Sequence, residues 1–223
     1  MYIILKRLFD IVISSIAIIV LAPIFLVIII ILRFSSDGEV FYLQERIGTS
    51  SKTFRIWKFA TMVKNSLNIG AGSITLRNDP RVTKIGRFLR KTKINELPQI
   101  FNILIGDISI VGPRPLVFKT FNAYSDDIQK KIYKIKPGLT GIGSIVFRDE
   151  ESIISDIVDE DQDPHEFYRT NIAPYKGKLE IWYFENRSFI LDLQLIFLTA
   201  WVIFFPNSKL YYKWYKDLPK KTF

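Results

Sequence analysis

An apolar run of 22 residues, Ile11 to Leu32, constrains this chain more than any other feature. Only Ser14, Ser15 and Pro23 interrupt it. About 20 apolar residues in a helix cover the hydrocarbon core of a bilayer, so residues 1–34 read as a membrane segment. A secretory signal does not fit, because the run is too long and no small-residue cleavage site follows. Lys6 and Arg7 precede the run and Arg33 follows it, so positive charge gives no preferred orientation. Pro23 in the middle predicts a kink, since it lacks the N–H that a helix interior needs. A kinked helix that enters and leaves on one face satisfies both observations; a straight crossing is the alternative. Asp10 lies one turn from Lys6 and Arg7 and is expected to pair with either.

Residues 37–59 carry a hairpin pattern. Val40, Tyr42 and Gln44 alternate with Phe41 and Leu43, Gly48-Thr49-Ser50-Ser51 is turn chemistry, and Phe54 and Ile56 alternate with Arg55 and Trp57. Lys58 closes the hairpin, either as an ordinary solvated lysine or as a point charge for a phosphate. Residues 63–80 read as a loop, with Gly70, Gly72 and Asn78-Asp79-Pro80. Residues 81–91 read as a basic helix, Val82, Ile85, Phe88 and Leu89 inward and Lys84, Arg87, Arg90 and Lys91 outward.

The stretch from Arg90 to Pro115 concentrates the chemistry. Pro98 suits the first turn of a helix, so a helix is expected from near Asn95. Leu97, Ile100, Phe101, Leu104 and Ile105 give it an apolar face, and Gly106 stops it. Asn95 and Glu96 then lie at the end where N–H groups favour anions. They are a cap with a first-turn acid, or part of an anion site. Pro113 and Pro115 fix φ on both sides of Arg114, which suits a guanidinium held for bidentate phosphate contact. A proline-stiffened turn is the plainer reading.

Residues 118–136 read as an exposed amphipathic helix, and Pro137 to Gly143 as a glycine-rich segment that allows close backbone approach to a ligand. Residues 149–166 carry nine acids and no Lys or Arg, the pattern of a solvated helix or loop. From Ile181 the chain turns aromatic. Leu195 to Phe205 is an 11-residue apolar run, too short to span. It suits a helix lying in the membrane interface or a core helix.

Charge is distributed unevenly. The net charge is +9 overall, and residues 46–93 hold twelve Lys or Arg against Asp79 alone, hence 12 − 1 = +11. That block implies a polyanion partner: nucleic acid, a lipid headgroup surface or a diphosphate. No nucleic-acid motif accompanies it, so a membrane-anchored nucleic-acid binder is the weakest of the three. Absence of Cys excludes disulfides and thiolate chemistry. The single His165 sits among acids and reads as a surface residue.

Several motifs in one order complete the pattern. They are Lys6-Arg7 with Asp10, Arg46-Ile47-Gly48, Trp57 to Met62, Glu96-Leu97-Pro98-Gln99, Gly106-Asp107-Ile108-Ser109, Val111 to Pro115, Lys136 to Gly141, and Leu191-Asp192. The chain resembles the bacterial sugar transferases, monotopic phosphoglycosyl transferases acting on polyprenyl phosphate. The resemblance covers residues 1–145 closely and 180–200 loosely. It implies an α+β, mainly α monotopic membrane protein with a kinked re-entrant N-terminal helix, a small β-hairpin and interfacial amphipathic helices. Expected units are a re-entrant helix over 1–34, a catalytic domain over 35–205 facing the cytoplasm on the bacterial inner membrane, and a basic aromatic tail over 206–223. The implied reaction moves a phosphosugar from a UDP-sugar to polyprenyl phosphate with Mg²⁺, releasing UMP. Downstream glycosyltransferases are partners of such a product. Implied site residues are Glu96 (catalytic and metal-binding) and Asn95, with Lys58, Arg90, Arg114, Pro113 and Pro115 around the phosphates. In the family an Asp-Glu dyad opens the helix and its Asp attacks the β-phosphate. Asn95 stands at that Asp position, and an amide is no usable nucleophile. Either Glu96 takes over as nucleophile or metal ligand, or the mechanism differs, or the chain is an impaired homologue that binds polyprenyl phosphate or serves as a scaffold.

Overall fold

The computed structural model describes residues 1–35, 39–66, 79–159 and 163–221. Most of the loop expected over 63–80 lies outside the described residues, as do residues 36–38 and 160–162. The apolar run forms one long helix, α1 (Tyr2–Arg33), with Pro23 inside it. It is long and apolar enough to cross a membrane. Near its start Arg7 donates at 2.7 Å to each of the Ile103 and Leu104 carbonyls, the free acceptors at a helix end. Lys6 meets the Asp192 carboxylate at 2.5 Å, and Tyr2 and Tyr183 donate to the same group at 2.9 and 2.7 Å. Asp10 pairs with neither Lys6 nor Arg7, contrary to the sequence expectation. It is buried and accepts from the Ile110 amide at 3.0 Å. Lys6 and Arg7 are drawn away by stronger partners on distant elements. At the other end of α1, Phe25, Ile28 and Leu32 are buried with Phe59 and Leu89.

Strands β1 (Phe41–Ile47) and β2 (Thr53–Phe59) form the hairpin, in register from Phe41 opposite Phe59 to Ile47 opposite Thr53. The tight connection runs through a 3-10 turn at Thr49–Ser51, with Ser50 and Ser51 at φ 57° and 58°. Helix α2 (Lys84–Lys91) is capped by Thr83, whose hydroxyl accepts from the Gly86 amide at 2.9 Å. Leu89 faces the core as expected, but Phe88 is 60% exposed. After Lys93, at φ 60°, comes a 3-10 turn at Ile94–Glu96, and only then α3 (Gln99–Ile105). The helix therefore starts four residues later than Pro98 and the apolar spacing suggested, because the left-handed Lys93 resets the chain direction. Ile105 is 66% exposed, and Ile103 takes the buried place expected of it. Gly106, at φ 98°, ends α3 as predicted.

Strands β3 (Ser109–Val111) and β4 (Gly138–Thr140) pair in parallel. The glycine-rich segment thus brings two backbones of this chain together, and Gly138 and Leu139 also line a cleft. A Cβ on Gly138 would sit 2.0 Å from the Gly112 nitrogen. Between these strands the single helix predicted over 118–136 is two, α4 (Phe118–Phe121) and α5 (Asp126–Ile132). Phe121, Tyr124, Ile132 and Tyr133 are buried together, so the segment is half core, not an exposed helix. Then follow α6 (Ile142–Val146), α7 (Glu150–Asp159), α8 (Pro164–Phe167), a π turn at Tyr168–Ile172, α9 (Ala173–Asn186), α10 (Phe189–Phe204) and α11 (Leu210–Trp214). The largest core joins α6, α9 and α10 through Ile142, Ile145, Leu179, Leu195 and Leu198, with Tyr211 and Leu218 from the C-terminal residues. Each fully buried Leu or Ile there contributes ~1.5–3 kcal/mol. Helix α10 bears out the core reading, and it also leaves apolar side chains exposed. Leu191, Leu195, Leu198 and Val202 are core, while Ile190, Leu193, Phe197, Ile203 and Phe204 are exposed.

Candidate active site

The strand period of two decides what the hairpin offers. Arg46 lies opposite Phe54 and Gln44 opposite Ile56, so Arg46, Ile56 and Lys58 share one face of the sheet. That face forms one wall of a small cleft. Glu96 and Gln99, from the turn before α3 and from its first residue, form a second wall. Arg114 and Pro115, after β3, and Gly138 and Leu139 of β4 close it. The β3–β4 pairing therefore brings the Pro-Arg-Pro loop to the hairpin, and the Pro113 carbonyl locks it by accepting from the Gly138 amide at 2.8 Å.

Within the cleft Glu96 is the one acid. Lys58 Nζ stands 3.4 Å from its Oε1 and Arg114 Nη2 stands 3.9 Å from the same atom. Burial pushes the Glu96 carboxyl up, but Lys58, Arg114 and Lys93 outweigh it and hold it at about 2. Cations rather than a helix terminus keep it ionised. Burial drives Lys58 down to about 8, helped by Arg46 and Arg114 and opposed by Glu96. Arg46 is lowered to about 10 by burial and by Arg114. Its guanidinium donates to the Pro115 carbonyl at 2.9 Å and to Gln44 at 2.6 Å, which fixes it between hairpin and Pro-Arg-Pro loop.

Of the residues singled out from sequence, Lys58, Glu96, Arg114 and Pro115 line the cleft, and Pro113 is buried directly behind it. Asn95 is 9% exposed beside Glu96, and its Oδ1 has no hydrogen-bond partner among the described residues. Arg90, on α2, is not part of the cleft lining. Two participants escaped sequence reasoning. Arg46 was visible as part of a motif, but nothing in its spacing pointed to Glu96. Glu180, on α9, is 4% exposed with Oε2 unpartnered among the described residues. Burial pushes its carboxyl up to about 7, against the Arg114 amide and the Lys176 and Arg114 charges.

A cleft lined, among the described residues, by three cations and one acid has the charge to hold an anion, and the same chain carries a helix long and apolar enough to cross a membrane. Residues 1–206 match the family model for bacterial sugar transferases, and the chain belongs to that family. The exopolysaccharide production protein ExoY of Sinorhizobium fredii is 34% identical over 208 residues, 87% of this chain and 83% of that protein. The UDP-glucose:undecaprenyl-phosphate glucose-1-phosphate transferase of Klebsiella pneumoniae is 36% identical over 206 residues, 91% of this chain but 41% of that protein. An Aeromonas hydrophila protein named UDP-N-acetylgalactosamine-undecaprenyl-phosphate N-acetylgalactosaminephosphotransferase is 33% identical over 202 residues, 89% of this chain and 43% of that protein. The chain thus spans most of ExoY and about two fifths of the two named phosphotransferases.

Proposed function

We propose that this chain transfers a phosphosugar from a UDP-sugar to a polyprenyl phosphate at the cytoplasmic face of a bacterial inner membrane. The products are a polyprenyl diphosphate sugar and UMP. The charge of the cleft carries the proposal. Arg46, Lys58 and Arg114 against Glu96 leave 3 − 1 = +2, a complement to a diphosphate. Relatives named for that reaction support it.

The anchor supports attachment to one face. Lys6, Arg7 and Asp10 at one end of α1 and Phe25, Ile28 and Leu32 at the other all bind the same body. A straight crossing would carry one end ~30 Å away across the hydrocarbon core. A re-entrant helix whose middle, with Ile16, Ile19, Val20 and Ile24 exposed, dips into lipid keeps both ends at the body.

In the proposed step an oxygen of the lipid phosphate attacks the β-phosphorus of the donor. The bond from that phosphorus to the bridging oxygen breaks, and UMP leaves with the electron pair. No proton is transferred. Arg46, Lys58 and Arg114 neutralise the charge gathering on the leaving phosphate. Glu96 is a weak nucleophile, because Lys58 and Arg114 stabilise its ionised form. Asn95 is none. Direct transfer therefore fits these residues better than a covalent intermediate. Among the described residues no group of three or more His, Asp or Glu could hold a metal alone. Glu96 and the unpartnered Oδ1 of Asn95 do fit Mg²⁺, which is commonly held by one or two carboxylates plus substrate phosphates. When bound there it would screen charge on the diphosphate.

Asn95 favours a second reading, a non-catalytic binder of polyprenyl phosphate. One experiment separates the two. Purified full chain with Mg²⁺, undecaprenyl phosphate and a panel of UDP-sugars is assayed for UMP release, beside Asn95→Asp and Glu96→Gln. The parent is expected to turn over without retaining sugar-phosphate label, and Glu96→Gln to lose turnover. A silent parent beside an active Asn95→Asp variant defeats the transferase reading and supports the binder.

A further inference from the structure

Helix α3 is apolar except at Gln99 and Asn102. Asn102 belongs to none of the sequence motifs named above, yet it is fully buried and its carboxamide is fully used. Its Oδ1 accepts from the Trp57 amide at 2.9 Å, and its Nδ2 donates to the Arg55 carbonyl at 2.8 Å. Those two backbone groups belong to residues two apart in β2, so they point off the same edge of the strand. The carboxamide therefore meets β2 as the peptide unit of a neighbouring strand would. Its second Nδ2 hydrogen goes to Asp107 Oδ2 at 3.0 Å. These partners fix which way round the amide sits, because a backbone N–H only donates and a carbonyl or carboxylate only accepts. The backbone carbonyl of Asn102 accepts in turn from the Gly106 and Asp107 amides at 3.1 and 2.9 Å, which holds the turn that carries Asp107.

Both elements joined by this side chain carry cleft residues. Lys58 follows Trp57 directly in β2, and Glu96 ends the turn that leads into α3. The 3.4 Å contact between Lys58 and Glu96 runs from one element to the other. We propose that Asn102 is a positioning residue for the anion clamp: its carboxamide, oriented by Asp107, sets β2 against α3 and so places Lys58 within reach of Glu96. The functional half of this proposal rests on the diphosphate reading given above. Asn102→Asp keeps the size of the side chain and the bond from Trp57. It also turns the donor into an oxygen that faces the Arg55 carbonyl and Asp107 Oδ2, so β2 and α3 are pushed apart.

The test reads the placement without any ligand. Full chain in detergent micelles is treated with a water-soluble carbodiimide, which joins a lysine to a carboxylate only where the two already meet. Peptides are then identified by mass spectrometry. The parent is expected to give a Lys58–Glu96 link, since those side chains are 16% and 21% exposed. The exposed pair Lys131 and Glu185, 3.8 Å apart on α5 and α9, gives the reference link. Asn102→Asp should lower the first link relative to the second by roughly tenfold. Inorganic diphosphate, titrated calorimetrically, should bind that variant roughly tenfold more weakly, and Asn102→Asp should add little to the loss caused by Lys58→Met. An unchanged link ratio in a folded Asn102→Asp variant, or no Lys58–Glu96 link in the parent, overturns the inference. Both links falling together, or a full added loss beside Lys58→Met, marks a merely structural asparagine and overturns it too. Should Asn102→Asp not fold, Asn102→Ser decides by the same ratio, and an unchanged ratio there overturns the inference equally. A lowered ratio with parental diphosphate affinity upholds the placement and defeats the diphosphate reading instead.

Discussion

Glu180 gives the sharpest quantitative prediction. Its carboxyl is pushed by burial up to about 7, against an ordinary 4.5, a difference of 7 − 4.5 = 2.5. At ~1.36 kcal/mol for each unit, ionising it in the folded chain costs about 3 kcal/mol more than in the unfolded chain. The sign follows from proton binding. Between pH 4.5 and 7 the folded chain holds a proton here that the unfolded chain has lost. Stability from this group is therefore full below pH 4.5 and is lost as pH rises through 7. Glu180→Gln keeps the shape and cannot ionise, so its stability should not decline across that window. Any fixed cost of the amide is the same at every pH and cancels in the comparison. Thermal unfolding of parent and variant in detergent micelles at pH 4.5, 6 and 7.5 reads the effect. The variant should gain about 3 kcal/mol relative to the parent, or roughly 6–12 °C for a domain of this size. Parallel pH curves for the two proteins would refute the buried, rising carboxyl.

Four further outcomes are expected. Lys58→Met should lower kcat/KM for the donor by roughly 10- to 100-fold through loss of a charge-assisted contact. In the parent, kcat/KM should fall as pH rises through about 8, where free Lys58 loses its proton; a flat profile to pH 10 would remove Lys58 from donor binding. Gly138→Ala should cost more than ~2 kcal/mol of stability, since its Cβ would overlap the Gly112 backbone, and an unchanged melting temperature would contradict the β3–β4 register. Asp192→Asn removes the acid shared by Lys6, Tyr2 and Tyr183 and should cost ~3–5 kcal/mol, measured by unfolding in micelles; unchanged stability would contradict this buried ion pair.

What sequence made legible was local. The hairpin and its turn, the long apolar helix and the Gly106 stop all follow from periods and turn chemistry within ten or so residues. The failures share a cause. Phe88 and Ile105 sit on periodic apolar faces but are exposed, because periodicity identifies an apolar stripe without saying whether protein or lipid covers it. The glycines near 138 signal a close approach but not its partner, which is Gly112, with the cleft beside it. Residues 118–136 split because Tyr124 and Phe121 turn into a core made by distant α9. Arg46 reaches the cleft through strand pairing and Glu180 reaches the Arg114 backbone through helix packing across many residues, which no spacing along the chain encodes.

Asn95 is where charge and chemistry pull apart. Arg46, Lys58, Arg114 and Glu96 sum to +2 in the cleft, the charge on which the diphosphate proposal rests; an aspartate at 95 would place a second carboxylate in sequence next to Glu96 and lower the local charge to +1. At ~5 Å and an effective dielectric of about 20, one added negative charge opposes a bound phosphate charge by ~3 kcal/mol before screening. Asn95→Asp should therefore weaken binding of UDP-sugar in the absence of Mg²⁺, by tenfold or more, and Mg²⁺ should recover much of that loss in the variant while changing the parent less. The same variant gains the family's nucleophile, so it should retain sugar-phosphate label on the protein when acceptor is withheld. Affinity and covalent chemistry are thus predicted to change in opposite directions at one residue. Equal donor affinity in parent and variant, measured without metal, would mean that the cleft does not recognise its ligand by net charge, and the reading of Arg46, Lys58 and Arg114 as a diphosphate clamp would have to be abandoned.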